Sequence, residues 1–443
     1  MAVASGAVGL LPCRASAKTV QPKTDYDVVI IGAGIAGLAA ARDLSNLGYE
    51  VLVLESRDRI GGRIFTDWSL EAPFEWGAGW IHGPNGNPIS ALAKTAKVKT
   101  YATDDDSLLV LDKTGTPVKD AALEALEERL YKVASAIEGG VETDMALSKA
   151  IDHLDPELLK DPLFHWALTA FTEFDTGGAI ENLSAKYYMA DAEFEGDDVI
   201  PVGGYDKVLK PLLTGFDLAL NAPVSHVAYE AGDGASIAAG DQVYEADFVI
   251  CTIPLGVLKK HATSFDPPLP KRLLTSIDRI AMGSVTKLAL KFDAPFWDIK
   301  TQYFGVLTEK KGRWPYFVNY RTFSDENILL ALSFGDYAIK ADTMTDEEMV
   351  ADAMDVLRNA FGAKIPAPRA FLATHWAQDR HTYGAYSYVS VGAKPSDFDA
   401  FSKPIGDVLI FAGEHTNFAY HATTHGAFLS GKRAAAAVDI LSD

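Results

Sequence analysis

Cysteine is nearly absent. The 443 residues contain two, Cys13 and Cys251. One lies in the first segment and the other inside the apolar run Phe248-Val249-Ile250-Cys251, so neither a disulfide framework nor a thiolate metal site is expected. His415, His421 and His425 lack metal-ligand company, and no metal is expected there either. Basic residues are outnumbered, with 40 Lys and Arg against 60 Asp and Glu, for a formal net charge of −20. That balance argues against nucleic-acid binding, which needs basic faces. It favours cationic ligands if the acids converge on a cleft, the alternative being simple solubility. No apolar run is long enough to span a bilayer. Internal repeats and low-complexity blocks are absent.

The first 23 residues read as a leader or signal remnant. Ala2 to Leu11 is apolar, and Ala15-Ser16-Ala17 resembles a signal-peptidase site, but the basic start of an export signal is missing. A periplasmic or exported product is the favoured expectation. A cytoplasmic protein whose leader has no consequence is the alternative.

What the chain does have is concentrated in residues 27 to 63. The apolar run Val28-Val29-Ile30-Ile31 ends in Gly32-Ala33-Gly34-Ile35-Ala36-Gly37. A small-residue helix follows to Leu47 and closes at Gly48, and a second strand, Val51 to Leu54, ends on Glu55. Such glycines permit a tight turn and let backbone approach a pyrophosphate at the positive end of a helix. Glu55 lies where a carboxylate can hold a ribose hydroxyl. The spacing predicts a dinucleotide cofactor and hence an oxidoreductase.

The rest alternates in character. Residues from about 88 to 195 read mostly as helix, with Ala121 to Ala136 the clearest amphipathic run. Strands are expected over 222–230 and 236–252, and antiparallel strands over 284–335, including 285–292, 301–307 and 328–334. A helix is expected over 345–361, a buried strand over 408–413 and a helix over 425–441. On the residues alone Lys287, inside Thr286 to Phe292, reads as a surface strand lysine, as does Lys291, of the same parity and near the strand end.

Five ordered blocks carry a resemblance: Glu55 to Arg63, Trp76 to Gly83, Gly283 to Trp297, Gly384 to Tyr388 and Phe411 to Thr416. Over about 25–436 the chain resembles the flavin-containing amine oxidases, closest in pattern to the polyamine oxidases. The resemblance implies an α/β fold. A Rossmann-type FAD-binding domain (24–87, 197–270 and 385–443) would interleave with an α+β substrate domain (88–196 and 271–384). It implies non-covalent FAD, because Phe418 and Ala419 stand where a covalent attachment residue would be. Gly32, Gly34, Ile35, Ala36 and Gly37 would cradle the pyrophosphate. Glu55, Ser56, Arg57, Gly62 and Arg63 would reach ribose, phosphate and ribityl oxygens. Gly77, Ala78, Gly79, Trp80, Val224, Trp376, Gly413, Glu414, Thr423, Thr424 and Ala427 would complete the cofactor site.

By the same resemblance Lys287 is the catalytic lysine, and desolvation would lower its pKa. His82, Trp376, Tyr386, Thr423 and Glu193 would face the substrate, with Asp191 and Glu195 beside Glu193. Thr423 stands where the monoamine-oxidase cage has its second tyrosine; a small residue there is the pattern of polyamine oxidases and histone demethylases, and makes a small aromatic monoamine a poorer expectation. The long helical insertion and separate N-terminal helical domain of histone demethylases are not expected, and a small diffusible substrate is expected instead. The expected reaction oxidises a polyamine or related amine to an imine, with oxygen reduced to hydrogen peroxide. The expected partners are a small amine and oxygen, with the protein a monomer or homodimer. Oxidation of another amine is the alternative: an amino acid, whose carboxylate would need Arg313 or Arg321, a monoamine or a cyclic alkaloid. A non-catalytic FAD-binding scaffold is the second alternative.

Overall fold

The computed structural model describes residues 24–443. The leader, with Cys13 and the Ala15-Ser16-Ala17 site, lies outside the described residues. Two large sheets organise the fold. The first has eight strands, drawn from 25–54, 217–266 and 409–411. Its centre is parallel: Asp25–Ile31 pairs with Val51–Leu54 on one side and Gln242–Cys251 on the other, and Leu409–Phe411 pairs with Gln242–Cys251. A parallel strand is covered on both faces, so its sequence runs apolar without alternation. The two faces still separate by parity. Val28, Ile30 and Val53 enter one core with Leu38 and Leu44, while Val29, Ile31 and Leu52 enter another with Leu255 and Phe411.

The helix Ile35–Leu47 starts from the glycine turn and stops at Gly48, whose φ of 101° suits glycine alone. Its small residues allow a close crossing with the helix Thr424–Ser442. A Cβ at Gly431 would fall 2.1 Å from the Ala36 carbonyl.

The second sheet has six strands, Leu108–Leu111 and five from 285–373. It is antiparallel except where Tyr303–Val306 pairs with Leu108–Leu111. The strand Val285–Lys291 is buried at all seven positions, between Ile328–Phe334 and Ala370–Ala373. The helix Asp346–Phe361 packs on this sheet. It opens with a capping box in which Glu348 N–H donates to Thr345 Oγ1 and Thr345 N–H to Glu348 Oε2.

Lys291 corrects the surface expectation. It is 2% exposed, and its Nζ donates to the Leu70 carbonyl at 2.6 Å and pairs with Glu71 at 2.6 Å and Glu326 at 2.7 Å. The loop at residues 70–71 closes over the strand end, and a buried ammonium must find such partners. The mostly helical reading of 88–195 also needs amendment, since Leu108–Leu111 is a strand of the second sheet. The strand Tyr316–Asn319 and the π-helical turn Leu168–Glu173 were not foreseen individually. Among the described residues no helix is long and apolar enough to cross a membrane, and no group of three or more His, Cys, Asp or Glu could hold a metal ion.

Candidate active site

The first glycine of the motif is fixed by geometry. Gly32 has φ of 105°, and a Cβ there would fall 2.4 Å from Thr252 Oγ1. The turn delivers Gly34 as N-cap of the first helix, with no side chain capping it, so its first N–H groups face outward toward a ligand. They open into a cavity of ≈ 1400 Å³. A pocket for one small molecule spans roughly 300–1,000 Å³, so this one has room for a dinucleotide and a substrate together.

Every expected cofactor and substrate residue lines this one cavity except Gly37. Gly37 lies behind it: a Cβ there would fall 2.0 Å from the Gly32 carbonyl, so its part is close helix–turn packing rather than ligand contact. Asp191 also lines the cavity, whereas Glu195 does not; Asn85 N–H donates to its carbonyl at 2.9 Å.

At the glycine end, Glu55 is buried and oriented by two backbone donors. Ala33 N–H reaches Oε2 at 2.8 Å and Arg57 N–H reaches Oε1 at 2.9 Å. Arg57 pairs with Asp379 at 2.7 Å, and Ser56 meets His381 Nδ1 at 2.9 Å. Further in, Arg63 donates to Glu414 and to the Ala385 carbonyl, each at 2.9 Å. Burial alone would raise the Glu414 carboxyl. The charges of Arg63 and His415 and the Ser387 hydroxyl override it and bring it down to about 2.

A second helix start opens on the cavity. Thr423 caps the helix Thr424–Ser442, its Oγ1 accepting from Gly426 N–H at 2.9 Å. His425 is buried, and burial followed by the charge of His82 lowers its imidazole to about 4, so it is neutral. Asn87 Nδ2 lies 3.3 Å from its Nδ1, which leaves Nε2 as the N–H edge. That Nε2 has no partner, and neither has Trp76 Nε1. Two buried donors left open on one cavity are what a bound polar ligand would satisfy.

Lys287 stands at the centre. It is 5% exposed, and its Nζ donates to the carbonyls of Gly77 at 2.6 Å and Glu75 at 3.1 Å, 5.5 Å from the Trp80 ring centre. Trp376 donates to the carbonyl between them, Trp76, at 2.7 Å. Burial lowers the lysine to about 8, with Glu75 opposing. The Tyr386 hydroxyl donates to the Phe174 carbonyl, and Trp80 meets Phe174 edge to face at 5.7 Å.

Beyond these aromatics the cavity turns acidic. Asp105, Asp175, Asp191, Glu193 and Asp198 all line it. His82 Nδ1 lies 2.5 Å from Asp198. Burial opposes protonation of His82, but the Asp198 hydrogen bond and charge, with Asp175 and Glu193 beyond, raise it above its ordinary value. Asp175 is pushed up to about 7, first by burial and then by Asp198, Glu193 and Asp191, against His82. Sequence reasoning missed Asp175 and Asp198. Only their approach to His82 across the fold marks them, and no local spacing signals it. The two arginines considered for a substrate carboxylate lie elsewhere. Arg313 is held by Asp352 and Asp355, Arg321 pairs with Asp325, and neither lines the cavity.

Comparison with known proteins agrees with this geometry. The sequence model of the family described as flavin containing amine oxidoreductase matches residues 35–439. Lysine-specific histone demethylase 1 homolog 2 of Arabidopsis thaliana is 33% identical over 441 residues, 94% of this chain and 58% of that protein. Probable polyamine oxidase 4 of the same organism is 32% identical over 435 residues, 93% of this chain and 86% of that protein. The chain thus spans little more than half the length of the demethylase relatives it matches. A solved structure of putrescine oxidase bound to putrescine superposes with a TM-score of 0.77 at 23% identity, over 95% of this chain and 100% of that one.

Proposed function

The chain belongs to the flavin-containing amine oxidoreductases, with FAD as cofactor, and from this premise we propose that it is an oxidase of di- or polyamines. The observation that carries the substrate class is the acidic end of the cavity. Five carboxylates, one of them Asp198 paired with His82, face a space whose other wall is Lys287 with Trp80, Trp376 and Tyr386. A polyamine needs both ends: ammonium groups held by carboxylates, and one nitrogen delivered uncharged to an apolar, aromatic-walled centre.

The residues fit FAD held without a covalent bond. The helix start at Gly34 to Ala36 would take the pyrophosphate, Glu55 a ribose, Arg57 and Arg63 the neighbouring oxygens, and His425 and Trp76 would gain partners for their open N–H groups. When bound, FAD would supply an acceptor for the hydride equivalent of the C–H bond beside nitrogen, with oxygen as the final oxidant and hydrogen peroxide as its product. That bond is weakened only when the nitrogen lone pair is free. The aromatic wall excludes water and disfavours charge on the reacting nitrogen, while the acids keep the distal nitrogens charged. Lys287 stands ready to hold or move a proton at Nζ. The product imine hydrolyses to an aldehyde and a shorter amine.

Among the described residues no arginine stands at the acidic end, which speaks against an α-amino acid. Arg57, Arg63 and Arg380 line the cavity, but they stand with the cofactor motifs: Arg57 on Asp379, Arg63 on Glu414 and Arg380 beside His381. A second reading, an N-methylated lysine in a basic peptide, is favoured by the demethylase relatives, since the same acids would hold basic neighbours. Anaerobic bleaching of the flavin band decides between them. Spermine, spermidine and putrescine are expected to bleach it, with tyramine, lysine and methylated histone peptide slow. Bleaching by the peptide alone would overturn the polyamine reading.

A further inference from the structure

Glu75 lies outside the large cavity and was not among the residues expected to act. Its carboxyl is 6% exposed on the short strand Phe74–Glu75. Tyr205 N–H donates to Oε1 at 2.9 Å, and Thr66 Oγ1 donates to Oε2 at 2.7 Å. Two ordinary donors fix the group in place but leave lone pairs on both oxygens unused.

Behind Lys287 is a second, small cavity of ≈ 20 Å³, whose walls include Glu75, Lys287, Gly79 and Tyr320. A space of roughly 10–15 Å³ or more holds one water if it offers two to four polar partners. Three of its lining residues, Glu75, Lys287 and Tyr320, carry a polar side-chain group that can serve. Gly79 keeps the space open, for a Cβ there would fall 3.4 Å from Lys287 Nζ and 3.8 Å from Glu75 Cβ.

We propose that one water in this small cavity joins the Glu75 carboxyl to Lys287, making Glu75 the proton-holding and positioning partner of the central lysine. A proton leaves the ammonium for the water as the water gives one to the carboxylate. Lysine and acid both end neutral, and the buried region changes no net charge. The charges around the pair suit this exchange. Burial lowers Lys287 and raises Glu75, each opposing the other's shift by its own charge. Asp206 raises Glu75 further, while Tyr205 and Thr66 hold it down. Burial thus favours the neutral form of each group, while the charge of each favours the ion pair. The linkage goes beyond the amine-oxidase reading and rests on it only for the use made of the lysine.

The test uses the FAD-loaded protein and its Glu75→Gln, Tyr320→Phe and Lys287→Met variants. The side-chain amide oxygen in Glu75→Gln can still accept from Tyr205 N–H. Absorbance of the bound flavin is titrated from pH 6 to 10 without amine, and the pH profile of amine turnover is recorded beside it. The Lys287 midpoint, identified by its loss in Lys287→Met, is expected to fall by about one pH unit in Glu75→Gln, because the carboxylate that raised it is gone. Tyr320→Phe leaves the bonds of Glu75 intact and is expected to shift the midpoint by less. A high-resolution crystal structure is expected to show a water in the cavity that Tyr320→Phe weakens. An unmoved midpoint in Glu75→Gln, or an empty cavity, overturns the proposal. Should Glu75→Gln fail to fold, an unmoved midpoint in Tyr320→Phe does the same. If no amine bleaches the flavin, the oxidase reading falls, yet the titration still decides the linkage.

Discussion

The guanidinium of Arg63 lies 2.9 Å from the carboxylate of Glu414, 351 residues further along the chain. The contact ties the end of the first cofactor motif to the last, and Ser387 and Ala422 add donors to the same carboxylate. Glu414 is 4% exposed. Removing it with Glu414→Ala leaves Arg63 without its charged partner and is expected to cost about 3–5 kcal/mol, read as a lowered melting temperature with FAD affinity lost in parallel. The pH dependence has a defined sign. The folded carboxyl titrates near 2, below its unfolded value, so its stabilisation is complete above the unfolded pKa of about 4.3 and disappears as pH falls toward 2. Acid melts of the parent and Glu414→Gln are expected to converge in that window.

Lys287→Met is expected to keep the yellow FAD complex while slowing turnover or reoxidation at least about 100-fold, the scale of losing a positioned proton-handling group. Stopped-flow traces of reduction and reoxidation separate the two steps. Unchanged kinetics would remove the lysine from the chemistry.

Asp175→Asn tests the acidic end. The charge-assisted contact it would lose is worth about 1.5–3 kcal/mol, so kcat/KM for putrescine is expected to fall about 10- to 100-fold, with a simple monoamine little affected. In the parent, ionisation of Asp175 is expected to give the pH profile of kcat/KM a limb rising through about pH 7. That limb is expected to be missing in the variant.

Lys291→Ala removes a buried ammonium from Glu71, Glu326 and the Leu70 carbonyl. It leaves the buried Leu70 carbonyl without that donor and is expected to destabilise the second sheet by about 1–3 kcal/mol, seen in denaturant unfolding, with the flavin spectrum unchanged where the protein is folded.

How much of this was legible in the sequence depended on whether the cause was local. Gly32 and Glu55 could be placed because a strand, a turn and a helix set their positions within a few dozen residues. The start of the helix Asp346–Phe361 was legible for the same reason, since Thr345 and Glu348 cap it themselves. Lys287 and Lys291 share one face of one strand, yet one borders the large cavity and the other is buried under a cluster of carboxylates that reach the surface. That difference is set by residues 70–71 and 326, which no periodicity in 285–291 reveals. Asp175 follows the π-helical turn Leu168–Glu173, and its meeting with His82 depends on packing across the whole fold.

Each large sheet is assembled from distant stretches of chain. Leu409–Phe411 must find Gln242–Cys251, which itself pairs with Asp25–Ile31, and Leu108–Leu111 must find Tyr303–Val306. No cut between residues 112 and 302 yields a piece carrying a complete sheet of either kind. Truncated expression products would be insoluble or unstructured, and the two halves would regain the flavin's colour only when produced together.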